Sequence, residues 1–364
     1  MSQSKKRHYI IVILIVIGFL ALLRWQAVTQ NPKLVDGSAN EYILPKETHF
    51  KNLRQLTFSG ENAEAYFSSD NKKLIFQAHD GKGLCDQIYI MDIESGEVEL
   101  VSTGDGVTTC AYFQYPGNEK IVYASTHHVD KACPSPPDYS LGYVWKLHEG
   151  FDIFRANPDG SSLEQLTQEP GYDAEATVAE DGSRIVYTSI VSGDLEVWTM
   201  NTDGSDKRML TNKLGYDGGP FFSHNGKKIV WRAFYPETEK EISDYKGLIA
   251  VSMIRPMNLQ VRVMNADGTG KVQITHNEAA NFAPFFFPSD ERIVFCSNKT
   301  DPKGRNFDLW AVNVDGSNME QITHFDGFDG FPMFSPNGKY FVFASNRNQA
   351  KPGDTNIFIA EWVD

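Results

Sequence analysis

Basic residues are in short supply. The 364-residue chain has 34 Lys and Arg against 47 Asp and Glu, a formal charge of −13 at pH 7. Nucleic-acid binding draws on a basic face, so that class of partner is excluded as the main ligand. Cysteine is scarcer still: four residues, too few for a disulfide-held scaffold. None precedes Cys85, so lipid attachment near the N-terminus is not expected. His-Glu-x-x-His, Gly-x-Ser-x-Gly, Cys-x-x-Cys and Gly-x-x-x-x-Gly-Lys are all missing. Their absence removes the simplest zinc-peptidase, serine-hydrolase, dithiol and phosphate-loop readings. Ser69-Asp70-Asn71-Lys72 fits Ser-x-x-Lys but reads as a turn between strands. Disorder throughout is excluded by 41% hydrophobic and 12% aromatic residues.

Long apolar runs are also absent, with one exception. Tyr9 to Leu23 is unbroken and follows Lys5, Lys6 and Arg7. A positive segment followed by about 15 apolar residues fits an export signal. A spanning helix prefers roughly 20 residues, with about 17 as the lower end. Residues 1–25 are therefore expected to be a signal peptide or signal anchor, and no pair of small residues marks a cleavage site. The positive end stays inside, which sends the rest out. Residues 26–50 read as a polar linker, with Pro32, Gly37, Ser38 and Pro45. Removing Lys5, Lys6, Arg7 and Arg24 leaves 30 basic against 47 acidic residues, a charge of −17 for the exported part.

Residues 51–364 are a repeat. The unit is an apolar strand, an Asn/Asp-Gly turn, a second apolar strand, a loop, a third strand, an x-Asp-Gly turn and a Gln-Leu-Thr strand. First strands include Ala65-Tyr66-Phe67, Pro220-Phe221-Phe222, Pro284-Phe285-Phe286 and Pro332-Met333-Phe334. Second strands include Leu74-Ile75-Phe76, Ile185-Val186-Tyr187 and Ile293-Val294-Phe295. Second turns include Asn157-Pro158-Asp159-Gly160, Asn201-Thr202-Asp203-Gly204 and Asn313-Val314-Asp315-Gly316. Such turns supply the positive φ that two-residue hairpins need. Six four-stranded units at about 45-residue spacing specify an all-β, six-bladed propeller. The leftover strand Leu53-Arg54-Gln55-Leu56-Thr57 is expected to complete the last blade and close the ring.

These residues resemble the TolB-type β-propeller repeat, and most closely in Phe331-Pro332-Met333-Phe334-Ser335-Pro336-Asn337-Gly338-Lys339. The resemblance covers about residues 50–364. TolB itself carries an N-terminal α/β domain, for which residues 26–50 are too short. The chain looks closer to stand-alone TolB-like propellers, some of which resemble modules found beside extracytoplasmic metallopeptidases. The fold leaves the activity open, because propellers host many.

Equivalent first-strand positions are 46, 65, 44, 64 and 48 residues apart, so blades two and four carry insertions, about 127–150 and 237–258. Both fall between second and third strands and open on one face, where long loops often carry function. Ile242, Tyr245, Ile249 and Met253 are spaced as an amphipathic helix, read either as a cap or as a partner-binding helix. The segments leading into the first strands share this face. They are expected to bring Glu64, Asp173, Glu175, Asp217, Asn281 and Asp329 toward the channel, with Arg232 and Arg347 offsetting the charge. Hard oxygens in a ring suit Ca²⁺, another divalent metal or a cationic ligand; the alternative is that each Asp caps backbone amides. His127 and His128 are the metal-ligand candidates. One disulfide is expected among Cys85, Cys110 and Cys133, which export permits.

The leading expectation is a protein- or peptide-binding scaffold in the cell envelope, rather than an enzyme. It would be extracytoplasmic (periplasmic or cell-surface) and held to the membrane by residues 9–23. The alternative is a metal-dependent propeller lyase or hydrolase, or a gating subunit beside an extracytoplasmic peptidase.

Overall fold

The computed structural model describes residues 40–79, 84–135 and 138–364. Six four-stranded antiparallel sheets form the blades of a propeller. Their first strands are Glu61–Phe67, Thr108–Phe113, Asp173–Val178, Tyr216–Phe222, Asn281–Phe286 and Asp329–Phe334. Each packs against the next around a ring, so these strands line the channel. In the sixth sheet the outermost strand is Phe50–Gln55, antiparallel to Asn356–Trp362. The expected membrane segment, residues 9–23, lies outside the described residues. Among the described residues no helix is long and apolar enough to cross a membrane.

The repeat turns explain why these blades stack. In Asn157-Pro158-Asp159-Gly160, the Asp159 carboxylate accepts from the Ser161 N–H at 2.9 Å and its hydroxyl at 2.6 Å. The same bonds recur at Asp203, Asp267 and Asp315, so these acids are turn formers. Gly160 has φ +79°, and a Cβ there would sit 2.7 Å from the Val101 carbonyl in the preceding blade. The consensus glycine thus serves both the turn and the close approach between blades. Apolar faces fill the space between sheets. Phe67, Phe76, Phe286, Phe341, Phe343 and Phe358 are fully buried, and truncating one such ring costs about 3–5 kcal/mol.

The insertions are joined to each other. Trp145–Lys146 from blade two pairs antiparallel with Met253–Ile254 from blade four, forming a two-stranded bridge over blade three. The blade-four insertion also holds helix α1 (Glu239–Ile249), capped by Thr238 in a capping box with Glu241. Arg255 ties the parts together, binding Asp244 and the Leu141 carbonyl. A Cys85–Cys133 disulfide fastens the blade-one loop to the blade-two insertion, leaving Cys110 and Cys296 as free thiols.

Candidate functional site

Each first strand carries a β-bulge at the same place, marked by a register shift against its neighbour. The bulged residues have positive φ: Glu64 (53°), Cys110 (52°), Glu175 (59°), Gly219 (58°), Ala283 (49°) and Phe331 (54°). All six line a small central cavity of about 20 Å³, with Tyr66, Phe221 and Arg232 among its other walls. A bulge re-aims side chains that regular pleating would place elsewhere. The repeat therefore projects one variable side chain per blade toward the axis.

This cavity is chemically lopsided. Glu175 pairs with Arg232, which reaches over from blade four, and accepts from Thr188 Oγ1 at 2.7 Å and the Gly219 N–H at 2.8 Å. The Arg232 guanidinium lies 5.5 Å from the Trp145 ring and 5.6 Å from the Tyr216 ring. Trp145 belongs to the insertion bridge, so the bridge reaches the channel. Among the described residues Glu64 forms no ion pair of its own, and Arg232 acts on it only at longer range. Burial pushes its carboxyl up to about 7, against donation from Cys110 and Tyr66. Burial and the Glu64 charge also push the Cys110 thiol well up.

The acids of the first-strand lead-ins do not join this cluster. Asp173, Asp217, Asn281 and Asp329 are buried between blades. Their N–H groups bond the preceding blade at the carbonyls of Phe151, Leu195, Leu259 and Phe307. Each thereby stands opposite the polar residue heading the third strand of that blade. Three junctions hold two acids: Asp152 with Asp173, Glu196 with Asp217, and Asp308 with Asp329. The other three hold neutral groups: Gln87 with Thr108, Gln260 with Asn281, and Asn356 with Asn62. Burial raises Asp173 to about 6 and Asp308 to about 7. Arg347 is likewise a junction residue. It binds Asp329 at 2.6 Å and both oxygens of Glu47, a linker residue with no exposure. The expected ring of carboxylates is therefore two sets. Glu64, Glu175 and Arg232 face the channel, while Asp173, Asp217, Asn281, Asp329 and Arg347 hold blades together. The bulge at residue 175 breaks the two-residue period that would have put Asp173 and Glu175 on one face.

The remaining candidates also have structural partners. His128 Nε2 lies 2.8 Å from Asp152, while His127 bonds Ser125 and packs tilted against the Phe154 ring at 4.4 Å. Among the described residues no group of three or more His, Cys, Asp or Glu is placed to hold a metal ion. In the insertion, Tyr245 and Met253 are buried, and Ile242 and Ile249 are half-buried. The Tyr245 hydroxyl donates to Asp194 of blade three. The stripe, read either as a cap or as partner-binding, is thus turned onto the protein, the arrangement of a cap on blade three. The sequence reading missed Cys110, Gly219, Ala283 and Phe331 because none is acidic. Aligning the six lead-ins by column identifies them, since all hold the bulge position.

No protein-family model and no curated protein sequence matches the chain. Solved structures do. A putative TolB from Agrobacterium tumefaciens superposes with a TM-score of 0.58 at 16% identity, covering 86% of this chain and 97% of that one. TolB from Acinetobacter baumannii gives 0.55 at 16% identity over 74% of this chain. The match spans 55% of the Acinetobacter chain. An oligogalacturonate lyase in complex with manganese gives 0.50 at 11% identity, covering 86% and 93% of the two chains. The fold is that of a TolB-like six-bladed propeller.

Proposed function

We propose that this chain is a non-enzymatic, extracytoplasmic binding module that docks a protein or peptide on the face bearing both insertions. One observation carries the reading. Thirteen large apolar side chains are exposed among the described residues, and eight belong to loops of this single face. They are Leu84, Val129, Leu141, Tyr143, Val191, Leu214, Val251 and Met257. Clustered exposed apolar groups mark interaction surfaces, whereas scattered ones do not. The bridge and the disulfide hold these loops in place beforehand, which lowers the ordering cost of binding.

The cavity beneath supplies selectivity. Its Glu64 carboxyl and the Glu175–Arg232 pair would read a polar group presented between apolar contacts. Residues 9–23 would tether the module to the membrane, and the disulfide suits an oxidising compartment. The neighbouring lyase fold supports an enzyme only as a comparison of architecture.

A photo-crosslinking residue placed at Tyr143 or Val251 of the full-length protein in its membrane tests the reading. We expect one discrete adduct at both positions, lost on changing Val129 and Met257 to Asp. Controls at Met209 and Val272, on outer strands, should give none. Equal labelling at all four positions would overturn the proposal.

A further inference from the structure

A second pocket opens beside the channel, where blade one meets blade six. Its volume is about 260 Å³. That is room for a side chain rather than for one water, whose share of the liquid is about 30 Å³. Glu61, Asn62, Gln77 and Asp86 form its polar wall, and Phe328 and Phe331 its aromatic wall. Phe331 also lines the central cavity, so the two spaces share a partition. Among the described residues no Lys or Arg lines this pocket.

The polar wall has its donors engaged and acceptors left over. Asn62 Nδ2 donates to the Ser59 and Thr355 carbonyls, both at 2.8 Å. Asn62 Oδ1 has no partner, although the residue is only 1% exposed. A comparison between blades explains why. Asn281 holds the same position in blade five, and there Ser297 Oγ donates to its Oδ1 at 2.7 Å. Ser297 is the cross-strand partner of Asn281, whereas the cross-strand partner of Asn62 is Ala78. Blade one therefore lacks the donor, and a buried acceptor is costly to leave open. Across the junction Asn356 Nδ2 is also unpartnered, but Asn356 is not a wall of the pocket.

The carboxylates are held in place by one histidine. His79 Nδ1 lies 2.6 Å from Asp86 and its Nε2 lies 3.6 Å from Glu61, whose side chain is 64% exposed at the mouth. Asp86 first and Glu61 next push His79 up to about 10. The imidazolium cancels one carboxylate and leaves one negative charge over. We propose that this pocket binds a primary ammonium group, as carried by a lysine side chain or by the N-terminus of a peptide. Asn62 Oδ1 and Glu61 accept its N–H donors, and Phe328 and Phe331 face its charge. A guanidinium fits less well, because its planar fork asks for both oxygens of one carboxylate. Asp86 has one oxygen on His79 and the other on Gln77, and Glu61 shares one with His79. The assignment does not depend on the apolar rim, since a free amine needs no docked protein.

Ligand-observed NMR on the full chain in detergent tests the site. The probes are N-acetyl-lysine amide, leucine amide with its free α-ammonium, and uncharged N-acetyl-norleucine amide. Saturable binding of either amine, without binding of the norleucine compound, is the expected result. The tighter amine identifies the source as a side chain or a chain terminus. Ala78→Ser supplies the donor that blade five already has, and Glu61→Gln removes the exposed charge. Each should weaken binding about tenfold, the worth of one hydrogen bond to a charged group. Glu61→Gln, at an exposed position, decides the matter if Ala78→Ser does not fold. Equal binding of the norleucine amide, a preference for N-acetyl-arginine amide, or wild-type affinity in both variants would overturn the proposal. So would no saturable binding of either amine, the result that a direct hydrogen bond from Asn356 to Asn62 would produce.

Discussion

Trp145, on the blade-two insertion, lies with its ring 5.5 Å from the guanidinium of Arg232, which blade four supplies. The contact links a loop on the outer face to the ion pair in the channel, because Arg232 also binds Glu175 of blade three. Three blades therefore meet at one cation.

Removing that cation leaves Glu175 charged and enclosed. Arg232→Met should destabilise the propeller by about 3–5 kcal/mol, the usual cost of stranding one partner of a buried pair. The double variant Arg232→Met/Glu175→Gln should recover much of the loss. Urea unfolding of both proteins measures the difference, and equal midpoints would contradict the ion-pair account.

The disulfide between Cys85 and Cys133 closes a span of 48 residues. Reduction should cost about 2–4 kcal/mol, chiefly by freeing the unfolded chain. A reduced sample should melt at lower temperature and gain protease cuts within residues 127–135. The cuts should be absent from the oxidised protein.

Gly160 and Gly226 both have positive φ, but only Gly160 faces a neighbouring blade. A Cβ at Gly226 meets nothing within 4 Å. Gly226→Ala should cost about 1 kcal/mol, from backbone strain alone. Gly160→Ala should cost clearly more, because the Val101 carbonyl must also move. Similar melting temperatures for the two variants would show that the interblade contact is slack.

Glu64 titrates near 7 because burial disfavours its charge. Its folded form holds a proton that an unfolded Glu has lost, so this contribution is present in acid and is lost as pH rises through 7. Glu64→Gln should flatten the fall in melting temperature between about pH 5 and about pH 9. An unchanged slope would locate that fall elsewhere.

The thiols of Cys110 and Cys296 are both raised well above the ordinary range by burial. Thiolate is the reactive form, so a thiol reagent near pH 8 should label both slowly in the native protein. Denaturation should release both together. Rapid native labelling of Cys110 would mean that the channel opens to solvent.

The blades were legible because their signals are local and repeated. Gly160, Gly204 and Gly316 announce hairpins, and strands such as Ile185-Val186-Tyr187 alternate with them at fixed spacing. The insertion helix was legible from Ile242, Tyr245 and Ile249, and its capping role was one of two readings. The site was only half legible. Glu64, Glu175 and Arg232 reach the channel, but Asp173 and Asp217 do not, because a bulge invisible to the two-residue period separates them. Glu47 was hidden for another reason. It sits in a linker-like stretch, and its value comes from Arg347, 300 residues away in sequence.

The covalent and paired links on the insertion face are unevenly distributed around the ring. The disulfide fastens blade one to blade two, and the strand bridge fastens blade two to blade four. Four consecutive blades are thereby stapled along one rim, and blades five and six have no equivalent staple there among the described residues. On that distribution the ring is expected to behave as a stiff arc with a softer closing segment. We expect compliance to concentrate near blades five and six, where Phe50–Gln55 joins the sixth sheet. A pull on that end loads the soft side first, while the stapled arc keeps its shape.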